Sequence, residues 1–225
     1  MYTPSLADRV VGSVALGRRQ ALGRGIAVLL GRLEVDGLEH VPAHGPVVLA
    51  VNHRSLLDGP LIFGVLRRPA SFLVKTEAFS RLMGPVLLSA GQVPVVRTRV
   101  DAAPVRLALR VLQAGGVVGI FPEGSRGDGL ARVAKPGVGY FAMRAGAVVV
   151  PVACHGTDAM SHRNTLGRPG AQIIFGEPIA VERYPTSRPL NRRLVADTTE
   201  QIRVALADLV AGTTRRPQLR KATAA

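Results

Sequence analysis

Two short runs hold the side chains whose types and spacing can do chemistry. One is Asn52-His53-Arg54-Ser55-Leu56-Leu57-Asp58, the other Phe121-Pro122-Glu123-Gly124-Ser125-Arg126-Gly127. In the first, a histidine and an aspartate stand five residues apart. On one continuous helix such residues would point about 140° apart. The apolar run before His53 reads as a strand, however, and Ser55 as the N-cap of the next helix, with Asp58 at its third position. With the histidine ahead of the cap, the chain can fold the imidazole back onto the carboxylate. Asp58 then holds one ring nitrogen and leaves the other as a base. The pair supplies a base and its orienter but no protein nucleophile, because Ser55 is committed to capping. A substrate hydroxyl would attack directly while His53 takes its proton, which contributes on the order of 10²–10⁴ in rate. A plainer alternative stands beside this one: Asp58 is only a capping-box acid and His53 a surface loop residue.

The second run carries a buried strand into a polar loop. Gly124 and Gly127 allow close backbone approach to a ligand. Arg126 offers a planar fork suited to phosphate oxygens. Glu123 can fix that fork or accept a hydrogen bond from a substrate hydroxyl. The competing reading is a surface turn with an ordinary Glu–Arg pair. Neither the GxxxxGK[ST] spacing of a phosphate-cradling loop nor a GxGxxG fingerprint occurs in the chain.

Regular elements must place both runs. Short apolar stretches over 46–51, 70–74, 93–96, 117–121, 147–153 and 172–175 read as buried strands. Helical stretches over 55–66, 77–89, 101–113 and 136–145 separate them, and a last helix is predicted over 189–211. Near-continuous apolar strands alternating with helices imply an α/β fold, a single-domain sandwich with a largely parallel or mixed central sheet. Functional loops then gather at the carboxyl ends of the strands. Residues 1–31 carry Leu6, Val10, Val14 and then Leu22, Ile26, Leu30 at four-residue spacing amid arginines, and read as one or two amphipathic helices. They either pack on the domain or contact a membrane. Residues 32–211 form the main domain, and 212–225 a basic mobile tail.

Of the 225 residues, 47% are hydrophobic, and 29 Lys and Arg against 15 Asp and Glu leave a formal charge of +14. That balance favours a polyanionic partner. No Trp, three Tyr and six Phe are thin for base stacking, so an anionic membrane surface is favoured over nucleic acid. The single cysteine, Cys154, excludes an internal disulfide and reads as a buried structural thiol. His40, His44, His155 and His162 read as loop residues without metal-ligand spacing. No signal peptide is evident. The longest uncharged stretch, 82–96, is too short to span a bilayer and contains two Pro and two Gly. A peripheral position on the cytoplasmic face of the cell membrane is the resulting expectation.

Taken together, the two runs resemble the N-H-x4-D and F-P-E-G-[ST]-R motifs of the glycerolipid acyltransferases, the family of 1-acyl-sn-glycerol-3-phosphate acyltransferase. Their order and separation of about seventy residues also match. Gly91-Gln92-Val93-Pro94-Val95-Val96-Arg97 is similar to the family's second block, and Val149-Val150-Pro151-Val152-Ala153 to its fourth. The resemblance implies acyl transfer from acyl-coenzyme A or acyl carrier protein, as co-substrate, to a lysophospholipid, with no bound cofactor or metal. It implies His53 as base with Asp58 as its partner, Arg97 and Arg126 as phosphate contacts, and Glu123, Gly124 and Ser125 at the acceptor site. Lys135, before Gly137 in a stretch similar to [FK]-K-x-G, is a further candidate by resemblance. Asn52, the first residue of the N-H-x4-D match, is a weaker candidate, and Lys75 is a candidate without motif strength. Val96 departs from the polar residue common before the arginine, which bears on acceptor recognition and not on the chemistry. Glycerol 3-phosphate or another lyso-lipid as acceptor, or a non-catalytic basic membrane-binding module, are the alternatives.

Overall fold

A computed structural model describes residues 33–96, 102–160, 170–184 and 187–214. Its strands are β1 (Leu33–Asp36), β2 (Val47–Val51), β3 (Ala70–Lys75), β4 (Val93–Val95), β5 (Val117–Ile120), β6 (Val148–His155) and β7 (Ala171–Phe175). Its α-helices are α1 (Asp58–Val65), α2 (Met83–Ser89), α3 (Ala102–Gln113), α4 (Gly137–Ala145), α5 (Thr157–Met160) and α6 (Arg192–Thr214). One seven-stranded sheet results, in the order β1-β7-β6-β2-β5-β3-β4. The block from β6 to β4 is parallel, β7 runs antiparallel to β6, and β1 is parallel to β7. This is the mixed α/β sheet that the alternation of apolar runs and helices predicts.

Every residue of β2 is fully buried, as a central strand covered on both faces requires. Alternate residues face opposite ways. Val48 and Ala50 meet Leu107, Ala108 and Leu112 of α3, Phe141 of α4 and Ile202 of α6. Val47, Leu49 and Val51 meet Leu61 and Ile62 of α1. Helices on both faces seal the backbone hydrogen bonds of the parallel strands from water, and the carboxyl ends of those strands share one edge of the sheet.

Some boundaries differ from the sequence reading. The helix expected over 55–66 begins at Asp58 instead, because residues 53–57 form a turn around that residue's carboxylate. The helix expected over 77–89 splits into a 3-10 turn at Thr76–Ala78 and α2. The last helix runs three residues into the segment read as tail, carried by its buried stripe Ile202, Leu206 and Val210. β1, with two acids in four residues, escaped a search for apolar runs. His155 is not a loop residue but ends β6, with Nε2 2.6 Å from Thr213 Oγ1. His162, residues 1–31 and the tail from 215 on lie outside the described residues.

Gly119, in β5, carries a constraint that reaches the edge. A Cβ there would lie 2.2 Å from Phe72 Cε1, so the Phe72 ring crosses the space a side chain would fill. Phe72 in turn stacks on Phe121, with centroids 5.7 Å apart. Gly119→Ala is expected to destabilise the fold by about 1–3 kcal/mol through overpacking, measured as a lowered urea midpoint. An unchanged midpoint would show that the ring relocates freely.

Candidate active site

The carboxyl ends of β2 and β5 lie side by side, and the two motif loops leave from them. His53 follows β2 by two residues. Its Nδ1 lies 3.0 Å from Asp58 Oδ2. The same oxygen accepts the backbone N–H groups of Arg54 and Ser55, each at 2.8 Å. Since a carboxylate only accepts, Nδ1 carries a proton, and in the neutral ring Nε2 keeps its lone pair. The Asp58 side chain is fully buried, and that of His53 is 16% exposed. The base is thus anchored from inside the protein and reachable from outside. Ser55 does not cap α1; its Oγ accepts the Leu57 N–H at 3.2 Å, within the turn that precedes the helix. The Arg54 and Ser55 N–H groups, natural candidates for polarising a carbonyl, are consumed by Asp58.

Three further contacts fix the imidazole and its loop. The ring stacks on Phe121, with centroids 4.0 Å apart and planes inclined 24°. The His53 N–H donates to Glu123 Oε1 at 3.2 Å, and the Gly127 N–H donates to the His53 carbonyl at 3.1 Å. The two motif loops are therefore stitched to each other across about seventy residues of sequence. Asn52, fully buried, extends the stitching. Its Nδ2 donates to the carbonyls of Gly129 and Cys154, and its Oδ1 accepts the Cys154 N–H at 2.7 Å. Arg54 reaches the Asp128 carbonyl and the Asp158 carboxylate.

Glu123 does not pair with Arg126, as one sequence reading allowed; it turns inward to His53 instead. Arg126 and Ser125 are exposed, and Arg126 has no side-chain partner among the described residues. Gly124 adopts φ 74°, the left-handed region where glycine is favoured, and a Cβ there would strike Lys135 Cε at 2.5 Å and Nζ at 2.6 Å. The Lys135 ammonium thus lies over the motif loop, held by its own N–H bond to the Pro122 carbonyl. Lys75 is exposed at the carboxyl end of β3, beside β5. Arg97 lies outside the described residues. Cys154 is a buried thiol, as its apolar context predicts, with burial pushing its pKa well up. Phe121 opens the second motif, but its stacking on His53 was not readable from spacing; Gly129 and Asp158 lie outside both motifs, and their contacts with the site were not readable either. Among the described residues no group of three or more His, Cys, Asp or Glu is placed to hold a metal ion.

A base beside an open edge, oriented by a buried carboxylate and flanked by unpaired cations, suits transfer of a group to a hydroxyl of an anionic substrate. The acyltransferase family model matches residues 32–155, more than half of the chain and both motif loops, and the chain belongs to that family. It is 28% identical over 175 residues to a 1-acyl-sn-glycerol-3-phosphate acyltransferase of Bacillus subtilis, spanning 77% of this chain and 86% of that protein. A protein of the same name from Borreliella burgdorferi is 28% identical over 149 residues, 64% of this chain and 59% of the relative. In fold the chain resembles the crystal structure of a 1-acyl-sn-glycerophosphate acyltransferase from Thermotoga maritima, with TM-score 0.68 and 23% identity, over 89% of this chain and 80% of that one.

Burial holds the Glu123 carboxyl above its usual range, opposed by the backbone bond from His53 and reinforced by nearby Asp128. A carboxyl whose folded pKa exceeds its unfolded one costs nothing at low pH, where both states are protonated. It costs stability increasingly as pH rises above about 4.3, the unperturbed value. Glu123→Gln keeps the acceptor for the His53 N–H and removes the charge. Its stability relative to the native chain is therefore expected to grow with pH through that window and level off above the raised value. Urea midpoints of both proteins across the acid range measure this; a gap that shrinks with rising pH would mean that the ion is net stabilised.

Proposed function

We propose that the chain transfers a fatty acyl group from an acyl thioester, on coenzyme A or acyl carrier protein, to the free hydroxyl of 1-acyl-sn-glycerol-3-phosphate, giving phosphatidic acid for phospholipid synthesis. The observation that carries the reading is the His53–Asp58 pair, with Nδ1 bound and Nε2 free. The names of the two curated relatives support the acceptor. In the proposed step, Nε2 takes the hydroxyl proton as the oxygen attacks the thioester carbonyl carbon. The tetrahedral intermediate collapses, the C–S bond breaks, and the imidazolium returns its proton to the departing sulfur. A C–O bond replaces a C–S bond with no change of oxidation state. Asp58 stabilises the transient imidazolium and keeps the productive tautomer. The Phe121 ring limits rotation of the imidazole, so the base is oriented before substrate arrives.

Arg126 and Lys135 supply unpaired cations at the mouth of the site, and Lys75 a third, all suited to a phosphate. Arg97 takes the same role by resemblance. Glu123 positions His53 through its backbone, and Gly124 and Ser125 line the approach of the glycerol. The protein works at the cytoplasmic face of the membrane as a peripheral enzyme; its formal charge of +14 and the lipid nature of the acceptor support this. Among the described residues no helix is long and apolar enough to cross a bilayer.

The test is mass spectrometry of products formed from oleoyl-coenzyme A and lysophosphatidate on anionic vesicles. The native chain is expected to make phosphatidate, and His53→Ala to lose at least about 10²-fold in rate while keeping its circular dichroism. Native turnover by that variant would remove His53 as base. Arg126→Ala is expected to raise the acceptor KM about tenfold or more, the worth of a charge-assisted bond, with little change in kcat. An unchanged acceptor KM would take the phosphate away from Arg126.

A further inference from the structure

Eight large hydrophobic side chains are exposed among the described residues: Leu56, Leu82, Met83, Val86, Leu130, Val133, Leu194 and Val204. Single exposed apolar residues are ordinary; a cluster is not. Six of the eight lie on connections that leave the carboxyl ends of three strands. Leu56 follows β2, Leu130 and Val133 follow β5, and Leu82, Met83 and Val86 lie on the crossover from β3 to β4. β2, β5 and β3 are neighbours in that order and mutually parallel, so the three connections emerge from one edge, the edge that carries His53. Leu82 is 84% exposed, Leu56 70% and Val133 67%, values that leave nearly whole side chains in water. The other two, Leu194 and Val204, sit on α6.

Charge on the same connections is one-sided. Lys75, Arg81, Arg126, Arg132 and Lys135 are exposed there against two exposed acids, Glu77 and Asp128, and Asp128 is paired with Arg132. Apolar side chains interspersed with unpaired cations match the two layers of an anionic lipid surface, acyl chains beneath phosphates.

We infer that this rim is a membrane-docking surface, on which Leu56, Leu82, Met83, Val86, Leu130 and Val133 enter the headgroup region of an anionic bilayer while Lys75, Arg81, Arg126 and Lys135 meet its phosphates. This rests on the acyl-transfer reading above and adds to it the face presented to lipid. The rim shares its sheet edge with the base, so docking brings the His53 side toward the plane in which a lipid hydroxyl lies. The acceptor then need only rise within the headgroup layer, without leaving the membrane.

A local probe on the full chain tests the surface separately from any other contact. Cys154 is buried, so a single introduced cysteine takes an environment-sensitive fluorophore. Labels at Leu82→Cys and Val133→Cys are expected to brighten and shift to the blue with phosphatidylglycerol-containing vesicles, and less with pure phosphatidylcholine. A label at Val204→Cys on α6 should not respond. The Leu82→Ser/Met83→Ser/Val86→Ser variant should lose at least about tenfold in vesicle partitioning. It should slow on vesicle-borne acceptor and keep the native rate on a short-chain, water-soluble one. Water-like emission from the labels at 82 and 133 on chains that sediment with vesicles would overturn the surface, as would failure to sediment at all. A native chain that makes no product from either acceptor while its labels shift would sink the acyl-transfer reading and leave the surface standing.

Discussion

A carboxylate without exposed surface has lost its hydration, and only strong local bonds make that state tolerable. Asp58 meets this demand with a single oxygen, which accepts from the His53 ring and from two backbone N–H groups, while Oδ1 is buried without a hydrogen-bond partner among the described residues. Those three bonds bend residues 53–57 around the carboxylate. They set where α1 begins, which tautomer the imidazole adopts and which of its nitrogens faces outward. A helix begun at Ser55 would have left the two N–H groups to intrahelical caps and the ring without its partner.

The sheet provides what the turn cannot. Asn52 ties the end of β2 to β6 and to the loop after β5, and Glu123 and Gly127 tie that loop back to His53. The aromatic series Phe72–Phe121–His53 links the ring to the core beneath it. It depends on the missing side chain at Gly119. The reactive residue is therefore held along two directions, by hydrogen bonds in the plane of the loops and by stacked rings from the strand side.

Much of this was legible in the sequence because strong local signals agreed. The apolar runs of β2, β5 and β6 are uninterrupted, as doubly covered strands must be, and their positions matched to within a residue or two. The His53–Asp58 pairing followed from their spacing around a strand end. What was hidden depends on pairs far apart in the chain. Nothing in Asn52 as a residue type tells which carbonyls it will bridge. Glu123 was as plausible a partner for its neighbour Arg126 as for a backbone N–H seventy positions away. The start of α1 was misplaced because capping preferences assign Ser55 to the helix, whereas the buried carboxylate outcompeted it. The acids of β1 masked a strand whose register is set by β7, well over a hundred residues later.

The stitching of the site has a consequence for biosynthesis. His53 and Asp58 emerge from the ribosome almost together, but the groups that clamp their segment lie 77, 102 and 104 residues further along. At ordinary translation speeds the clamps follow by roughly 5–20 s. For most of that delay the Val-Val-Leu-Ala-Val segment of β2 lacks β6, and for the first part of it β5 as well, to cover its edges. A nascent chain in that condition presents a bare, uncharged template for pairing with other chains. Substitutions that weaken the union of β6 with β2 will therefore act first on how much protein survives synthesis, before they act on what each finished molecule does.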